Sequence, residues 1–219
     1  MIAYKFLDPS GIGPYSGFPW PLPTSEFPGA WVETRGPLEL CRHGIHACSA
    51  SQLPYWWGAG LWEVELAEPI TDVDRVMLAP RGRLLRHMNA WHEPMMRRYA
   101  RACAWRVRDY GVGQLHALGL NAPADSLAEC AELDSLAATA AALVDAVPEE
   151  VAIVVGYVAD AASFSIGSMA LVKAVPYVAA HAAGYTAGQE GGLEYEKRYR
   201  TEREWQSKWL AEHLGLSTS

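Results

Sequence analysis

Reactive side chains are most concentrated between Cys41 and Cys48, where the sequence reads Cys-Arg-His-Gly-Ile-His-Ala-Cys. This short segment contains two of the chain's four cysteines and two of its seven histidines. Thiols and imidazoles ionise near neutral pH, bind metals and act as nucleophiles. The segment is therefore the first candidate for a chemical site.

Zinc binding is one chemistry that the segment suggests, with Cys41, His43, His46 and Cys48 as candidate ligands. Zinc-binding pairs normally enclose about two to four residues, whereas each close pair here encloses a single residue. No second pair of standard spacing elsewhere in the chain completes a set of ligands, so zinc is not expected. The thiols are interpreted as small apolar residues of the core, with a thiolate stabilised by Arg42 and His43 as the alternative.

His46 is the side chain of this segment that could meet a ligand. On a strand it shares a face with Gly44 and Cys48, and a glycine lets a ligand or another backbone approach closely. An imidazole beside that gap could contact a hydroxyl of a sugar or a phosphate. A histidine with a structural hydrogen bond is the alternative, and the sequence leaves both open.

Short strands are predicted to position these residues. The clearest covers residues 61–66, where Trp62 and Val64 alternate with Glu63 and Glu65. Further strands are predicted at residues 3–7, 30–33 and 44–48.

The chain is predicted to become helical from about residue 80. Residues 96–110 place apolar side chains on one face of an amphipathic helix. Other helical segments are predicted at residues 126–147, 149–162, 163–183 and 193–214. The predicted fold class is therefore α+β: a small mixed or antiparallel β unit with a proline-rich loop over residues 1–78, followed by a helical bundle over residues 79–219 packed on it.

The order of these strands resembles two groups of proteins. Tyr4-Lys5-Phe6, the glycine-led strand at 44–49 and the strand at 62–66 resemble an uncharacterised phage and bacterial family with a Cys-x4-His-x-Cys element. The arrangement is also similar to the N-terminal half of the ADP-ribosyltransferase-like fold. The resemblance covers about residues 2–68, under a third of the chain.

The transferase resemblance implies a cleft that binds NAD or a related nucleotide. It implies a catalytic role for His46, with cofactor contacts from His46 itself and from Tyr4, Lys5, Gly44 and Ser49. Two departures favour binding over catalysis. The first strand offers Tyr4 and Lys5 where those enzymes usually carry Arg or His, and no late catalytic glutamate stands out in a matching strand.

Arginines dominate residues 75–108, which carry nine arginines and one acid for a net charge of +8. Guanidinium groups bind phosphates, so Arg81 and Arg83 are predicted to contact the diphosphate of the nucleotide. Nucleic-acid binding through this segment is an alternative that the chain's net charge of −7 disfavours. Residues 109–172 carry nine acids and no base, and pairing with this block would neutralise the arginines instead.

The C-terminal helices suggest a second kind of function. Residues 126–214 resemble helical segments of bacterial immunity proteins, through the stretches at 170–175 and 202–210. This resemblance implies a non-catalytic interaction protein, a phage- or toxin-related accessory, that binds a protein partner through its helical region. A bundle that supports the β unit is the structural alternative.

Membrane contact is not expected from this sequence. No uncharged apolar stretch reaches the roughly 20 residues of a membrane span, and the N-terminal residues do not form a secretory signal. A cytoplasmic location is therefore predicted. For the function of the protein, the first hypothesis is an ADP-ribosyltransferase-like protein that binds a nucleotide. The second hypothesis is a non-catalytic interaction protein.

Overall fold

A computed structural model describes residues 1–73, 75–188 and 190–216 and has the predicted α+β class. Two compact units divide the chain. The β unit comprises Met1–His92 with the end of the chain from Ser207, and the helical unit comprises Glu93–Gln206. Among the helices in the described ranges, none combines the length and the apolar character that a membrane crossing requires.

The described strands of the β unit form two antiparallel sheets. A four-stranded sheet has the order β1-β4-β7-β2, and a three-stranded sheet has the order β3-β6-β5. A short 3-10 helix, Ala50–Tyr55, follows β3. The strands are β1 Ile2–Leu7, β2 Val32–Glu33, β3 Ile45–Ala47, β4 Gly60–Ala67, β5 Thr71–Val73, β6 Val76–Ala79 and β7 Arg81–His87.

Alternation along β4 organises the core of the β unit. Trp62, Val64 and Leu66 are buried, whereas Glu63 and Glu65 face the other side of the sheet, as the period of two predicts. Side chains from both sheets meet in this core. Its members include Ala3, Leu7, Val64, Leu66 and Leu84 from the four-stranded sheet and Ile45, Ala47, Met77 and Ala79 from the three-stranded sheet.

The predicted helical onset near residue 80 is wrong. Residues 81–87 form β7, which pairs with β4, and the first α-helix begins only at Glu93. The physical reason is again a period of two: Gly82 and Leu84 are buried, whereas Arg81 and Arg83 project from the opposite face. The β unit therefore extends well beyond the predicted limit at residue 78.

The described helices of the helical unit are mostly amphipathic. The predicted face of α1 is confirmed, because Met96, Tyr99, Ala100, Cys103 and Val107 are buried. The predicted helix at 193–214 is also confirmed, as α7. The helices are α1 Glu93–Ala117, α2 Asn121–Ala128, α3 Leu133–Val144, α4 Glu149–Ile166, α5 Met169–Val172, α6 Val175–Tyr185 and α7 Leu193–Leu214.

The single helix predicted at 126–147 is wrong, because α2 ends at Ala128 and α3 begins at Leu133. Leu127 and Leu136 are both fully buried. On one continuous helix they would lie about two and a half turns apart and so face opposite directions. Interrupting the helix lets both side chains reach a core. The predicted boundary between 162 and 163 is also displaced, because α4 continues to Ile166.

A buried carboxylate links α1 to α7 inside the helical unit. Glu202 is 1% exposed, and its Oε2 accepts hydrogen bonds from Arg106 Nε at 2.8 Å and from the Tyr110 hydroxyl at 2.5 Å. Its Oε1 accepts from Gln206 Nε2 at 3.3 Å, and the same amide donates to the Pro176 carbonyl at 2.9 Å. Neutral hydrogen bonds thus complete the ion pair, which is the condition under which a buried charge is tolerated.

The two partners of this pair are expected to respond unequally to mutation. Arg106→Met should destabilise the protein by about 3–5 kcal/mol, because the Glu202 carboxylate is left buried without its counter-charge. Glu202→Gln should cost less, about 1–3 kcal/mol, because the Arg106 side chain is 30% exposed and can reach water. Urea unfolding measures both losses. Equal losses for the two variants would contradict this account of the pair.

Candidate functional site

Lys5 lies at the margin of the β-unit core. Because side chains alternate along β1, Lys5 shares a face with the buried Ala3 and Leu7. Its ammonium donates a hydrogen bond to the His46 carbonyl at 2.5 Å and lies 5.2 Å from the centre of the Trp20 ring. The side chain is part-buried, so its charge sits between an apolar core and the solvent.

The ammonium of Lys5 has no carboxylate counter-charge among the residues that the structure describes. Burial lowers the pKa of Lys5 from 10.5 to about 8, and the only opposing influence is the nearby Cys48 thiol. An ammonium carries three donors, and one of them is used by the His46 carbonyl. Lys5 is therefore a partly desolvated cation that could still contact an anion.

His46 uses both nitrogens of its ring within the chain. Its Nδ1 lies 3.0 Å from the Gly44 carbonyl, and its Nε2 lies 3.0 Å from the Cys41 amide nitrogen. Because a backbone amide can only donate, Nε2 is the acceptor and Nδ1 carries the proton. Burial lowers the pKa of His46, and the charge of Lys5 adds to this shift. The imidazole holds the loop before β3, so the predicted catalytic use of His46 would require this loop to open.

Gly44 and Ser49 also have structural roles. Gly44 adopts a φ of +126°, which favours glycine, and a Cβ at this position would lie 3.0 Å from Leu38 Cδ2. Ser49 begins the 3-10 helix: its hydroxyl bonds the Ser51 hydroxyl at 2.8 Å, and its amide donates to Gln52 Oε1 at 2.9 Å. Gly44 and Ser49 are therefore both accounted for by the backbone conformation that they stabilise.

Tyr4 is buried, and the structure does not bring it together with Lys5. Tyr4 is the cross-strand partner of Glu63, whereas Lys5 is the partner of Trp62, so the two side chains lie on opposite faces of the sheet. Strand alternation is a signal that could have separated them in the sequence. A ligand that contacts Tyr4 would thus lie on the opposite face of the sheet from a ligand that contacts Lys5.

The candidate metal ligands have separate contacts within the chain. Cys41 is exposed, His43 Nδ1 lies 2.9 Å from the Pro37 carbonyl, and the buried Cys48 thiol contacts the Tyr4 carbonyl at 3.3 Å. Burial raises the pKa of Cys48 to about 12. All four cysteines are free. Within the described ranges, no group of three or more His, Cys, Asp or Glu side chains could hold a metal ion.

Arg81 and Arg83 lie on the face of the sheet opposite Lys5, and each is paired. Arg81 contacts Glu33 at 2.8 Å, and Arg83 contacts Glu65 at 2.7 Å. Both guanidinium groups also lie within 4.9 Å of the Trp31 ring centre. The predicted diphosphate contact would have to displace these glutamates, and it could not act on the same ligand group as Lys5.

Further paired arginines of the segment 75–108 lie on β7 and on α1. Arg108 pairs with Asp109 of the acidic block 109–172, at 2.8 Å. The remaining pairs use acids outside that block: Arg86 with Glu63, Arg97 with Glu93 and Arg106 with Glu202. At least six of the nine arginines in the basic segment are thus paired with carboxylates, so a nucleic acid would have to compete with these ion pairs.

Sequence reasoning missed a cluster of aromatic side chains in the helical unit. We call it the aromatic cluster; it comprises Tyr157, Tyr177, His181, Tyr185, Tyr195 and Tyr199. Residues 177, 181 and 185 recur every four positions on α6, and residues 195 and 199 do so on α7. Side chains spaced by four share one face of a helix, so this spacing was a usable signal.

Comparison with known proteins adds no relative from which a role could be transferred. The chain matches no protein-family model, no curated protein and no solved structure. Its functional assignment therefore depends on the geometry of its own residues.

Acidification is expected to break the contact between His46 and Cys41. A histidine whose pKa is lowered by folding binds fewer protons when folded, so its stabilising contribution is complete above its ordinary pKa of 6.5 and is lost as the pH falls through the folded value. Protonated Nε2 cannot accept the Cys41 amide. The protection factor of that amide, measured by hydrogen exchange, should fall, whereas the His43 amide, which donates to the Glu39 carbonyl at 2.9 Å, should keep its protection. If the ratio of the Cys41 and His43 protection factors did not change with pH, this role for His46 would be excluded.

Proposed function

We propose that the β unit binds an anionic ligand of the nucleotide type, NAD or a related nucleotide, with Lys5 as the charged contact. This proposal rests on the part-buried Lys5 ammonium. The ammonium has no described carboxylate partner and donates a single hydrogen bond, to the His46 carbonyl. The resemblance of residues 2–68 to the ADP-ribosyltransferase-like fold supports the choice of ligand class.

Desolvation is the physical argument for a ligand at Lys5. A buried charge without a partner is costly, and apolar side chains of similar size are usually more stable at such a position. A phosphate or diphosphate would supply the missing counter-charge and accept the remaining N–H donors. Arg81 and Arg83 are already neutralised by Glu33 and Glu65, so Lys5 is the better candidate for this contact.

Binding without group transfer is the form of this function that the site supports. Both nitrogens of His46 are hydrogen-bonded to backbone groups, and burial raises the pKa of the Cys48 thiol to about 12. Neither side chain is therefore prepared to act as a base or a nucleophile. We accordingly propose a nucleotide-binding module that lacks transferase activity.

Lys5→Met is expected to weaken binding of ADP-ribose by about tenfold or more, because a charge-assisted hydrogen bond is lost. Isothermal titration calorimetry with ADP-ribose, NAD and inorganic pyrophosphate measures the effect. Lys173→Met is the matched control, because it removes an exposed lysine from the helical unit and should leave the affinity unchanged. The proposal fails if the native protein binds none of these anions, or if both variants bind them equally well.

The affinity should also depend on the protonation of Lys5. Because the pKa of Lys5 is lowered to about 8, the fraction of the ammonium form falls as the pH rises above that value, and anion binding should weaken with it. Lys5→Arg keeps its charge throughout and should remove this pH dependence. An affinity that stays constant in the native protein between neutral pH and pH 10 would contradict the role of the ammonium.

Replacing Lys5 should have the opposite effect on stability. Lys5→Met is expected to stabilise the unliganded protein by about 1 kcal/mol near neutral pH, or about 2–4 °C in Tm, because a desolvated charge is removed. Its pKa falls from 10.5 to about 8 on folding, so the native protein should gain stability as the pH rises through this window. Thermal unfolding at several pH values should show the advantage of Lys5→Met shrinking across it. A destabilised variant would indicate that Lys5 is a structural residue.

A further inference from the structure

The aromatic cluster of the helical unit has a buried floor and an open rim. His181, Tyr195 and Tyr199 are buried, whereas Tyr177 is 57% exposed and Tyr157 and Tyr185 are part-buried. The floor is explained by packing between α6 and α7. The rim is not, because a tyrosine as exposed as Tyr177 gains little from the core.

The rings of the cluster are contiguous. The Tyr177 and His181 ring centres are 4.1 Å apart, and those of His181 and Tyr199 are 5.2 Å apart. Tyr185 continues the surface, with its ring centre 5.3 Å from Tyr195 and 5.6 Å from Tyr157. Rings from three helices, α4, α6 and α7, are thus linked by a continuous series of contacts, and aromatic ring faces attract cations.

Carboxylates lie beside this rim. Glu190 accepts a hydrogen bond from the Tyr185 hydroxyl at 3.3 Å and lies 3.9 Å from His181 Nδ1, whose other contact is the Tyr195 hydroxyl. The side chain of Glu190 is 61% exposed, and Asp160 is exposed as well. Asp160 lies three residues after Tyr157 on α4, so the two side chains are neighbours on the surface of this helix. Burial raises the pKa of Tyr157, and Glu190 and Asp160 add to this shift.

The net charge of the helical unit favours a cation over an anion as its ligand. Residues 93–206 carry ten basic and fifteen acidic side chains, a net charge of −5. Arg203 is a cation that faces these rings: its guanidinium lies 5.2 Å from the Tyr199 ring centre and 6.0 Å from the Tyr177 ring centre. Arg203 is 4% exposed and bonds Gln206 Oε1 at 3.0 Å. Its charge therefore belongs to the buried floor, and it shows that these rings already accept a guanidinium from within.

We propose that the rim formed by Tyr157, Tyr177 and Tyr185, with Glu190 and Asp160, binds an alkylammonium group. The ring faces attract the cation, the two carboxylates supply the counter-charge, and the phenol oxygens accept its N–H donors. A polyamine and a lysine side chain of a protein partner share this chemistry. These residues belong to the helical unit, and Lys5 belongs to the β unit.

Binding is tested on the full chain with spermidine, tetramethylammonium and a lysine-containing peptide as probes, by calorimetry and by NMR of the tyrosine rings. Tyr177→Leu should weaken binding of every probe by about five- to tenfold, because a cation–π contact is lost. Tyr177→Phe keeps the ring and should bind nearly as well as the native protein. Since Tyr177 is exposed, both variants are expected to fold.

Glu190→Gln separates the roles of charge and ring. This substitution should weaken the binding of spermidine and of the peptide. In the Glu190→Gln variant, Tyr177→Leu should weaken their binding by a larger factor than it does in the native protein. Tyr15→Leu is the matched control, because Tyr15 is 93% exposed in the β unit and should not affect any probe. Tighter binding of spermidine would assign the site to small amines, and tighter binding of the peptide to a protein partner.

The proposal is overturned if the native protein binds none of the three probes saturably at millimolar concentration. It is also overturned if Tyr177→Leu and Tyr15→Leu bind the probes equally well. Lys5→Met should retain full amine binding, so a failure of the nucleotide hypothesis would be distinguished from a failure of this one.

Discussion

The alternation of side chains along β4 is the constraint on which the arrangement of the β unit depends. One face of this central strand sends Trp62, Val64 and Leu66 into the core, and the other carries Glu63 and Glu65. β1 and β7 pair with β4 on its two sides, so they inherit the same division. Lys5 is thereby directed toward the core face. The arginines of β7 are directed to the outer face, where glutamates neutralise them.

This division explains why residues that are close in sequence do not form one site. A cleft that combines Tyr4 with Lys5, or Lys5 with Arg83, would need side chains from both faces of a single sheet. Side chains alternate between the two faces along β1 and along β7 from Arg81 to Leu84. The register shift between β4 and β7 at Glu63 and Val64 places Arg86 opposite Glu63, on the face of Arg83 and away from Lys5. Lys5 and the arginines of β7 therefore project from opposite faces of the sheet, and the nucleotide proposed for Lys5 would meet it without these arginines.

Sequence patterns predicted the elements in which local preference and tertiary packing agree. β4 alternates strictly between apolar and acidic residues, and α7 repeats its tyrosines every four residues, so both were predictable with nearly correct limits. β7 was missed because its arginines read as part of a basic helical segment, although Gly82 and Leu84 carry the strand period. Alanine-rich residues near 130 have high helix propensity, but the burial of Leu127 and Leu136 interrupts the helix.

The roles of the candidate site residues were harder to predict because they depend on partners distant in the chain. His46 could be placed on a strand from sequence alone, but the use of its Nε2 depends on a loop that brings back the Cys41 amide. The pairing of Arg81 with Glu33 likewise requires β2 to lie beside β7. Type and spacing thus identify the residues capable of chemistry, whereas folding decides which of them remain available for it.

Arg106 and Lys5 are both part-buried cations, and they differ in how their charge is compensated. Arg106 meets the Glu202 carboxylate, and Tyr110 and Gln206 complete the hydrogen bonds of that carboxylate, so the network is satisfied within the helical unit. Lys5 meets one carbonyl and an aromatic ring, and its charge is left without compensation among the described residues. A satisfied network stabilises one packing of helices and needs nothing further. An uncompensated charge lowers the stability of a folded protein. The proposed anionic ligand would supply the counter-charge that Lys5 lacks among the described residues.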